Sequence, residues 1–202
     1  KVNKFSRFHM RPGWIEVIVG CMFSGKTEEL LTEIRRCRIA KQNFQLFKPK
    51  TDNRYSDTDV ASHNKNSWPS QVVHSSGEIL DSLLPNTHVV AIDETQFFDF
   101  GIIEVCTTIA NSGKRVILAG LDTDWRGRPF GPMPQLLAIA EVVKKQYAIC
   151  MVCGDPATRT QRIVAAEDDI LLGSTEAYEA CCRPHFDSGS ISAPPFPPTI
   201  SP

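Results

Sequence analysis

Residues 20–27 read GCMFSGKT, and the reading of this stretch decides the fold. Gly20, four intervening residues, then Gly25, Lys26 and Thr27 fit the phosphate-loop form G-x-x-x-x-G-K-[ST]. Upstream lies WIEVIV (Trp14–Val19), short, apolar and rich in β-branched residues; downstream lies EELLTEIRRCRIAKQ (residues 28–42), with helical spacing. Strand, glycine loop and helix supply the context that turns the pattern into a mechanism. Gly20, Cys21, Met22, Phe23, Ser24 and Gly25 would turn successive backbone N–H groups inward, onto phosphate oxygens. The start of the new helix adds the positive end of its dipole. Lys26 would reach the β- and γ-phosphates, and Thr27 would ligate Mg²⁺ through its hydroxyl. The plainer alternative is a glycine turn beside a solvated lysine; the full pattern between strand and helix weighs against it.

Working outward, strand-like and helix-like segments alternate. The helix from Thr27 to about Lys41 carries Leu30, Leu31, Ile34 and Cys37 as an apolar stripe. FQLFKP (Phe44–Pro49), THVVAIDE (Thr87–Glu94) and RVILAGL (Arg115–Leu121) read as further strands. The unbroken apolar centre of Thr87–Glu94 marks a strand buried on both faces. FGIIEVCTTIANSGK reads as a helix ending near Gly113, and MPQLLAIAEVVKK (residues 133–145) as another. Such alternation predicts a parallel sheet covered by helices on both sides, with ligands at the C-terminal strand ends. Residues 51–76 read as a long polar loop, of a length usual in functional or disordered segments.

Two constellations add chemistry. Asp93 and Glu94 end an apolar strand, where a phosphate-loop protein places its Mg²⁺-holding acid: Asp93 would face Thr27. Glu94 is then the candidate base for the attacking hydroxyl or water. Cys150-Met-Val-Cys153 and Cys182-Arg-Pro-His185 are two knuckles able to close a tetrahedral, structural Zn²⁺ site, although Cys181 beside Cys182 could substitute for it. The alternatives are two solvated acids and a set of plain reduced cysteines. The loop Asp122–Pro134 holds Trp125 and Phe130, either stacking on a nucleobase or anchoring the loop.

Bulk properties bound the rest. The chain has 202 residues, a formal net charge of −1, 42% apolar and 22% charged residues. That is one ordinary domain with a small appendage, and neither nucleic acid nor an anionic membrane is favoured as a partner. No apolar run approaches the roughly 18 residues that span a bilayer. The first residues, KVNKFSRFHMRPGW, lack the apolar centre of a secretory signal. Seven cysteines, an odd number with three scattered and four in two C-terminal clusters, fit a reducing cytosol better than a disulfide framework. The organisation expected is an extension over 1–11, an α/β nucleotide-binding domain over 12–144, a small metal-binding unit over 145–186 and a disordered Ser- and Pro-rich tail over 187–202.

Taken in order, GCMFSGKTEEL, FKPKTDNRYS, AIDETQFF, LDTDWRGRPFG, CMVCGDPATRTQR and EAYEACCRPH resemble the motifs of type II thymidine kinases across about residues 12–186. That resemblance implies a RecA-like P-loop α/β domain with a zinc-bound lasso, and transfer of the ATP γ-phosphate to the 5′-hydroxyl of deoxythymidine for DNA precursor synthesis. It implies Glu94 as general base and Lys26 and Arg54 as charge-stabilising groups. ATP and Mg²⁺ would meet Gly20–Thr27, the loop residues Asp52, Asn53 and Arg54, and Asp93, Glu94, Thr95 and Gln96. The nucleoside would meet Met22, Phe97, Leu121, Trp125, Phe130, Thr160, Asp169, Ile170, Leu171, Leu172, Gly173 and Tyr178. A cytoplasmic homotetramer inhibited by dTTP is implied as well. Four positions depart from the family's usual residues: Cys21 for Pro, Trp125 for Phe, Asp169 for a β-branched residue and His185 for Cys.

The competing reading is a RecA-like ATPase acting on nucleic acid, prompted by the acidic box and the knuckles. The absence of a basic stripe and the lack of room for a second RecA-like domain weigh against it. A regulatory nucleotide switch would not need Glu94 beside Asp93.

Overall fold

β-Branched and aliphatic runs bounded by polar turns become the strands of the sheet, and the amphipathic segments between them become its covering helices. The computed structural model describes residues 13–50, 59–61, 67–164 and 177–187. The extension expected over 1–11 and residues 188–202 of the expected tail lie outside it. In chain order the body contains β1 (Trp14–Val19), α1 (Lys26–Ile39), β2 (Phe44–Pro49), β3 (Asp59–Ala61), β4 (Ser67–Pro69), β5 (Gln71–Val73), α2 (Gly77–Asp81), β6 (Val89–Ile92), α3 (Ile102–Asn111), β7 (Arg115–Gly120), α4 (Met133–Ile139) and β8 (Val142–Lys145). Six of these strands form one sheet in the order β5-β2-β6-β7-β1-β8, and every pairing in it is parallel.

Both faces of the sheet are covered, as the alternation predicted. On one face Leu30, Leu31, Ile34 and Cys37 of α1 pack with Ile18, Leu46, Ala91 and Ile117. On the other, Ile79, Ile102, Val105, Ile109, Met133 and Leu136 from α2, α3 and α4 pack with Val17, Val90, Val116 and Leu118. Each fully buried aliphatic side chain contributes roughly 1.5–3 kcal/mol, so α1 is held by its buried stripe. Gly113 follows α3 with φ +88, and its N–H donates to the Ala110 carbonyl at 2.9 Å, the helix stop expected of it.

One expected helix is corrected. Residues 133–145 divide into the short α4 and the strand β8. The chain turns extended at Ala140 (ψ 136), and the Glu141 N–H donates to the Ile15 carbonyl at 3.1 Å. Val142 and Val143 then pair along the free edge of β1. Two adjacent β-branched residues beside an unsatisfied strand edge favour a strand over another helical turn. The polar stretch 51–76 also holds more order than its sequence announced: β3 and β4 form a short antiparallel hairpin, and β5 extends the sheet beyond β2.

A charged network runs beneath α1. Arg115 on β7 donates to Glu16 on β1 at 2.8 and 2.9 Å and to Glu33 on α1 at 2.9 Å. Lys144 on β8 donates to Glu29 at 2.8 Å and to Glu33 at 2.7 Å. Glu16 and Glu33 are both buried. Four elements around the phosphate loop are thereby cross-tied through paired charges.

After the sheet, β9 (Ala148–Ile149) pairs with β10 (Pro156–Ala157), and β11 (Arg159–Arg162) pairs with β12 (Tyr178–Cys181). These hairpins share a small core of Cys21, Ala148, Cys150, Ala157, Ala180 and Cys182. Cys21 belongs to the phosphate loop, so the appendage is seated directly on it.

Candidate active site

The loop leaving β1 is shaped by close approaches. Gly20 has φ +152, and a Cβ there would lie 2.5 Å from the Gln146 carbonyl oxygen and 2.7 Å from Ser24 Oγ. No side chain fits. Gly25, at φ 79, sits in the left-handed region immediately before α1. Glycine enters that region without the penalty a Cβ brings. Lys26 Nζ donates to the loop's own Cys21 carbonyl at 2.8 Å. Burial pulls the Lys26 amine below its ordinary range, opposed by Glu94 first and then by Cys21, Asp93 and Asp122.

At the tip of β6, 66 residues further on, Asp93 Oδ2 accepts from the Thr27 hydroxyl at 3.3 Å. Asp93 Oδ1 accepts the Glu94 N–H at 3.0 Å. Burial, and then the neighbouring Glu94 carboxylate, push Asp93 up to about 7. A carboxylate and a hydroxyl so placed are hard oxygen donors, the kind that suits Mg²⁺. Glu94 itself is exposed and takes the left-handed backbone conformation, φ 51 and ψ 39. A non-glycine residue there is uncommon, and its cost is met by the surrounding structure.

Thr95, Gln96 and Phe97 form a 3-10 turn after the acids, with Thr95 and Gln96 buried. Phe97 meets Phe130 edge to face, with centroids 5.5 Å apart. Leu121 directly follows β7, and its N–H donates to Gln96 Oε1 at 3.0 Å. Trp125 lies on the same loop, with the Arg126 guanidinium 4.3 Å and the Arg162 guanidinium 5.0 Å from its ring centroid. Arg162 belongs to β11, so this aromatic ties the loop after β7 to the appended hairpin.

That hairpin also grips the phosphate loop. The Met22 N–H donates to Thr160 Oγ1 at 3.0 Å, and the Cys21 thiol donates to the Ala157 carbonyl at 3.3 Å. Burial raises the Cys21 thiol above its usual range, which keeps its donor proton in place. Tyr178, buried on β12, pairs with Arg162 across the hairpin.

The two knuckles converge. Cys150, Cys153, Cys182 and His185 bring their ligand atoms within 4.8 Å of one another. Cys182 Sγ lies 3.2 Å and Cys150 Sγ 3.8 Å from His185 Nδ1, and Cys153 Sγ lies 3.7 Å from Cys182 Sγ. Backbone N–H donors, that of Cys182 first, hold the Cys150 thiol below its usual range. Three thiols and one imidazole fit tetrahedral zinc. Cys181 is not a member: its Sγ turns to Glu179 Oε1 at 3.7 Å.

The structure therefore gathers Gly20–Thr27, Asp93–Phe97, Leu121, Trp125, Phe130, Thr160 and Tyr178 along one edge, at the C-terminal ends of β1, β6 and β7 and on the hairpin against them. Asp52, Asn53 and Arg54, and Asp169, Ile170, Leu171, Leu172 and Gly173, lie outside the described residues. Sequence reasoning missed Gln146, whose carbonyl crowds Gly20, and Asp122, which is buried and paired with Lys145 at 2.7 Å. It also missed Ala157 and Arg162, which hold the hairpin in place. A backbone acceptor such as Ala157 leaves no mark in sequence, but an arginine two residues after Thr160 was a visible charge without an assigned partner.

The family model described as TK: Thymidine kinase matches residues 13–186. The chain is similar to the thymidine kinase of Bdellovibrio bacteriovorus, 51% identical over 185 residues, covering 92% of this chain and 90% of that protein. It is also similar to the thymidine kinase of a Rhodothermus species, 51% identical over 189 residues, covering 94% of this chain and 85% of that protein. Among solved structures, the genome packaging NTPase B204 from Sulfolobus turreted icosahedral virus 2 aligns over 69% of this chain and 77% of that chain, at 19% identity and a TM-score of 0.43.

Proposed function

Because the chain belongs to the thymidine kinase family, we propose that it transfers the γ-phosphate of ATP to the 5′-hydroxyl of deoxythymidine, giving dTMP. The observation that carries this reading is the meeting of Thr27 and Asp93 at 3.3 Å, with Lys26 and Glu94 beside them. Phosphoryl transfer asks chiefly for in-line positioning and for neutralisation of charge on the phosphate oxygens. The phosphate loop and Lys26 hold the donor phosphates; a phosphate oxygen would take the Lys26 contact now made to the Cys21 carbonyl. Thr27 and Asp93 would hold the Mg²⁺ that accompanies ATP, which supplies positive charge to the phosphates. Glu94 takes the proton from the 5′-hydroxyl.

Deoxythymidine would lie between the loop after β7 and the hairpin β11–β12, against Met22, Phe97, Leu121, Trp125, Phe130, Thr160 and Tyr178. Asp169–Gly173 are assigned to the nucleoside as well. A covered nucleoside would keep water from the donor phosphate and so suppress hydrolysis. Arg54, with Asp52 and Asn53, is assigned to the ATP phosphates, and Thr95 to the nucleotide segment. Zn²⁺ in the Cys₃His cluster would crosslink the two knuckles. The division into a nucleotide-binding domain over 12–144 and a lasso over 145–186 belongs to the same reading, as do a cytoplasmic homotetramer and inhibition by dTTP. Among the described residues no helix is long and apolar enough to cross a membrane.

The test offers ATP labelled at the γ-phosphate with Mg²⁺, and deoxythymidine, deoxycytidine, deoxyadenosine or water as acceptor. Labelled dTMP formed far faster than any other product is the expected result. ATP hydrolysis without nucleoside labelling would sink the reading.

A further inference from the structure

We infer that Gln96 is a positioning residue that acts through Glu94, rather than a ligand of the nucleotide; the inference rests on Glu94 being the base in the reading above. Gln96 is buried, only 2% exposed. Its carboxamide is occupied at both ends: Nε2 donates to Glu94 Oε2 at 2.6 Å, and Oε1 accepts the Leu121 N–H at 3.0 Å. The second bond fixes the first. A backbone N–H can only donate, so the amide oxygen must face β7 and the NH₂ must face the carboxylate.

The surroundings are cut to hold this side chain. A Cβ on Gly120 would lie 2.7 Å from Gln96 Oε1, and a Cβ on Gly131 would lie 2.4 Å from the Gln96 carbonyl oxygen. Glycine at both positions lets the loop after β7 close over Gln96. Glu94 is exposed and its backbone is in the left-handed region. An exposed glutamate has many rotamers, and the Gln96 bond selects one. One carboxylate oxygen is taken by the amide, which leaves the other to meet the nucleoside hydroxyl. Gln96 also joins the base to Leu121, the first residue of the loop assigned to thymine. The proton acceptor and the acceptor-substrate pocket are thus set relative to each other through one buried amide.

The test compares Gln96→Ala, Gln96→Glu, Glu94→Gln and the double variant Glu94→Gln/Gln96→Ala. It reads kcat, KM for both substrates and calorimetric binding of ATP–Mg²⁺. Gln96→Glu keeps the volume and an acceptor for the Leu121 N–H, but sets a second carboxylate against Glu94. It separates loss of the directed bond from loss of packing. Displacing a catalytic group by about 1 Å can cost on the order of a hundredfold. The expected result is a kcat loss of about that size in both Gln96 variants, with KM values and ATP affinity unchanged within about threefold. In the Glu94→Gln background the further loss on adding Gln96→Ala should shrink to under about threefold, because the group being positioned is already gone. Equal losses in both backgrounds, or ATP affinity falling in step with kcat, would overturn the inference and leave the kinase reading standing. An unmutated enzyme that fails to phosphorylate deoxythymidine would remove both.

Discussion

Glu33→Gln is the perturbation whose size can be worked most directly. Glu33 lies on α1, one helix face removed from the phosphate loop, with its side chain 5% exposed. Burial alone would raise its carboxyl; the hydrogen bonds from Lys144 and Arg115 overcome that and hold it at about 2, against an ordinary 4.5. A difference of about 2.5 units at 1.36 kcal/mol each is about 3 kcal/mol of stability at neutral pH. The folded value lies below the unfolded one, so this contribution is complete above about pH 4.5 and is lost as pH falls from there toward 2. The substituted amide keeps the volume and one acceptor but not the charge, and it leaves Arg115 and Lys144 short of a partner. Urea unfolding at pH 7 should show a loss of about 2–3 kcal/mol, or roughly 4–12 °C in Tm for a chain of this length. Between pH 4.5 and 3 the variant's stability should fall less steeply than the parent's. A variant within about 0.5 kcal/mol of the parent at pH 7, falling along a parallel pH curve, would refute the reasoning. It would mean that desolvation of the charges cancels their attraction, as happens at some buried ion pairs.

Other perturbations address the site. Glu94→Gln should retain ATP binding by calorimetry and lose about 10²–10⁴ in kcat, the usual share of general base catalysis; turnover near the parent's would remove the base assignment. Thr160→Val removes the acceptor for the Met22 N–H, worth about 0.5–1.5 kcal/mol. It should weaken deoxythymidine binding by roughly 2- to 12-fold, and unchanged KM would show that this bond closes no site. Cys182→Ser should lower bound zinc, measured by atomic emission, and open residues 148–187 to proteolysis while β1–β8 stay protected. Cys181→Ser should leave the metal content alone, and zinc loss in that variant instead would reverse the ligand assignment.

Much of the frame was legible because it follows from local periodicity. The phosphate-loop spacing fixed β1, the loop and α1 together, and the apolar centre of β6 placed Asp93 and Glu94 at a strand tip. The pattern EVVKK continues the helical stripe of α4 as well as it alternates, so β8 is not separable from a helix by local sequence. The unpaired edge of β1, distant in sequence, decides between them. Glu16 inside the apolar β1 gave no hint of its fate. A carboxylate is buried there because Arg115, 99 residues away, arrives on the neighbouring strand in register with Trp14 and reaches Glu16 two residues further along.

The two cysteine knuckles show the limit from the other side. Spacing alone left Cys181 and Cys182 as rivals. Cys181 is the last residue of β12, in register with Arg159, and strand alternation returns its side chain to the face of Glu179. Cys182 has stepped off the strand into the turn that brings His185 round, with the His185 N–H on the Cys182 carbonyl at 3.2 Å. The ladder of β12 therefore sets which thiol joins the Cys₃His cluster, and that ladder depends on a partner strand that no local pattern names.

The same dependence on distant partners explains why the phosphate loop of this chain carries Cys21. Its carbonyl receives Lys26, its thiol donates to Ala157, and the next N–H, on Met22, donates to Thr160. Two adjacent residues thus meet Lys26 of the phosphate loop on one side and the appended hairpin on the other. A proline at 21 would keep the carbonyl but forfeit the thiol contact to the hairpin. Cysteine keeps both and is small enough to join Ala148, Ala157 and Ala180 in the core that supports Cys150 and Cys182. The phosphate loop and the appended hairpin are therefore joined through backbone two residues long, and Cys21 is the residue that bonds to both.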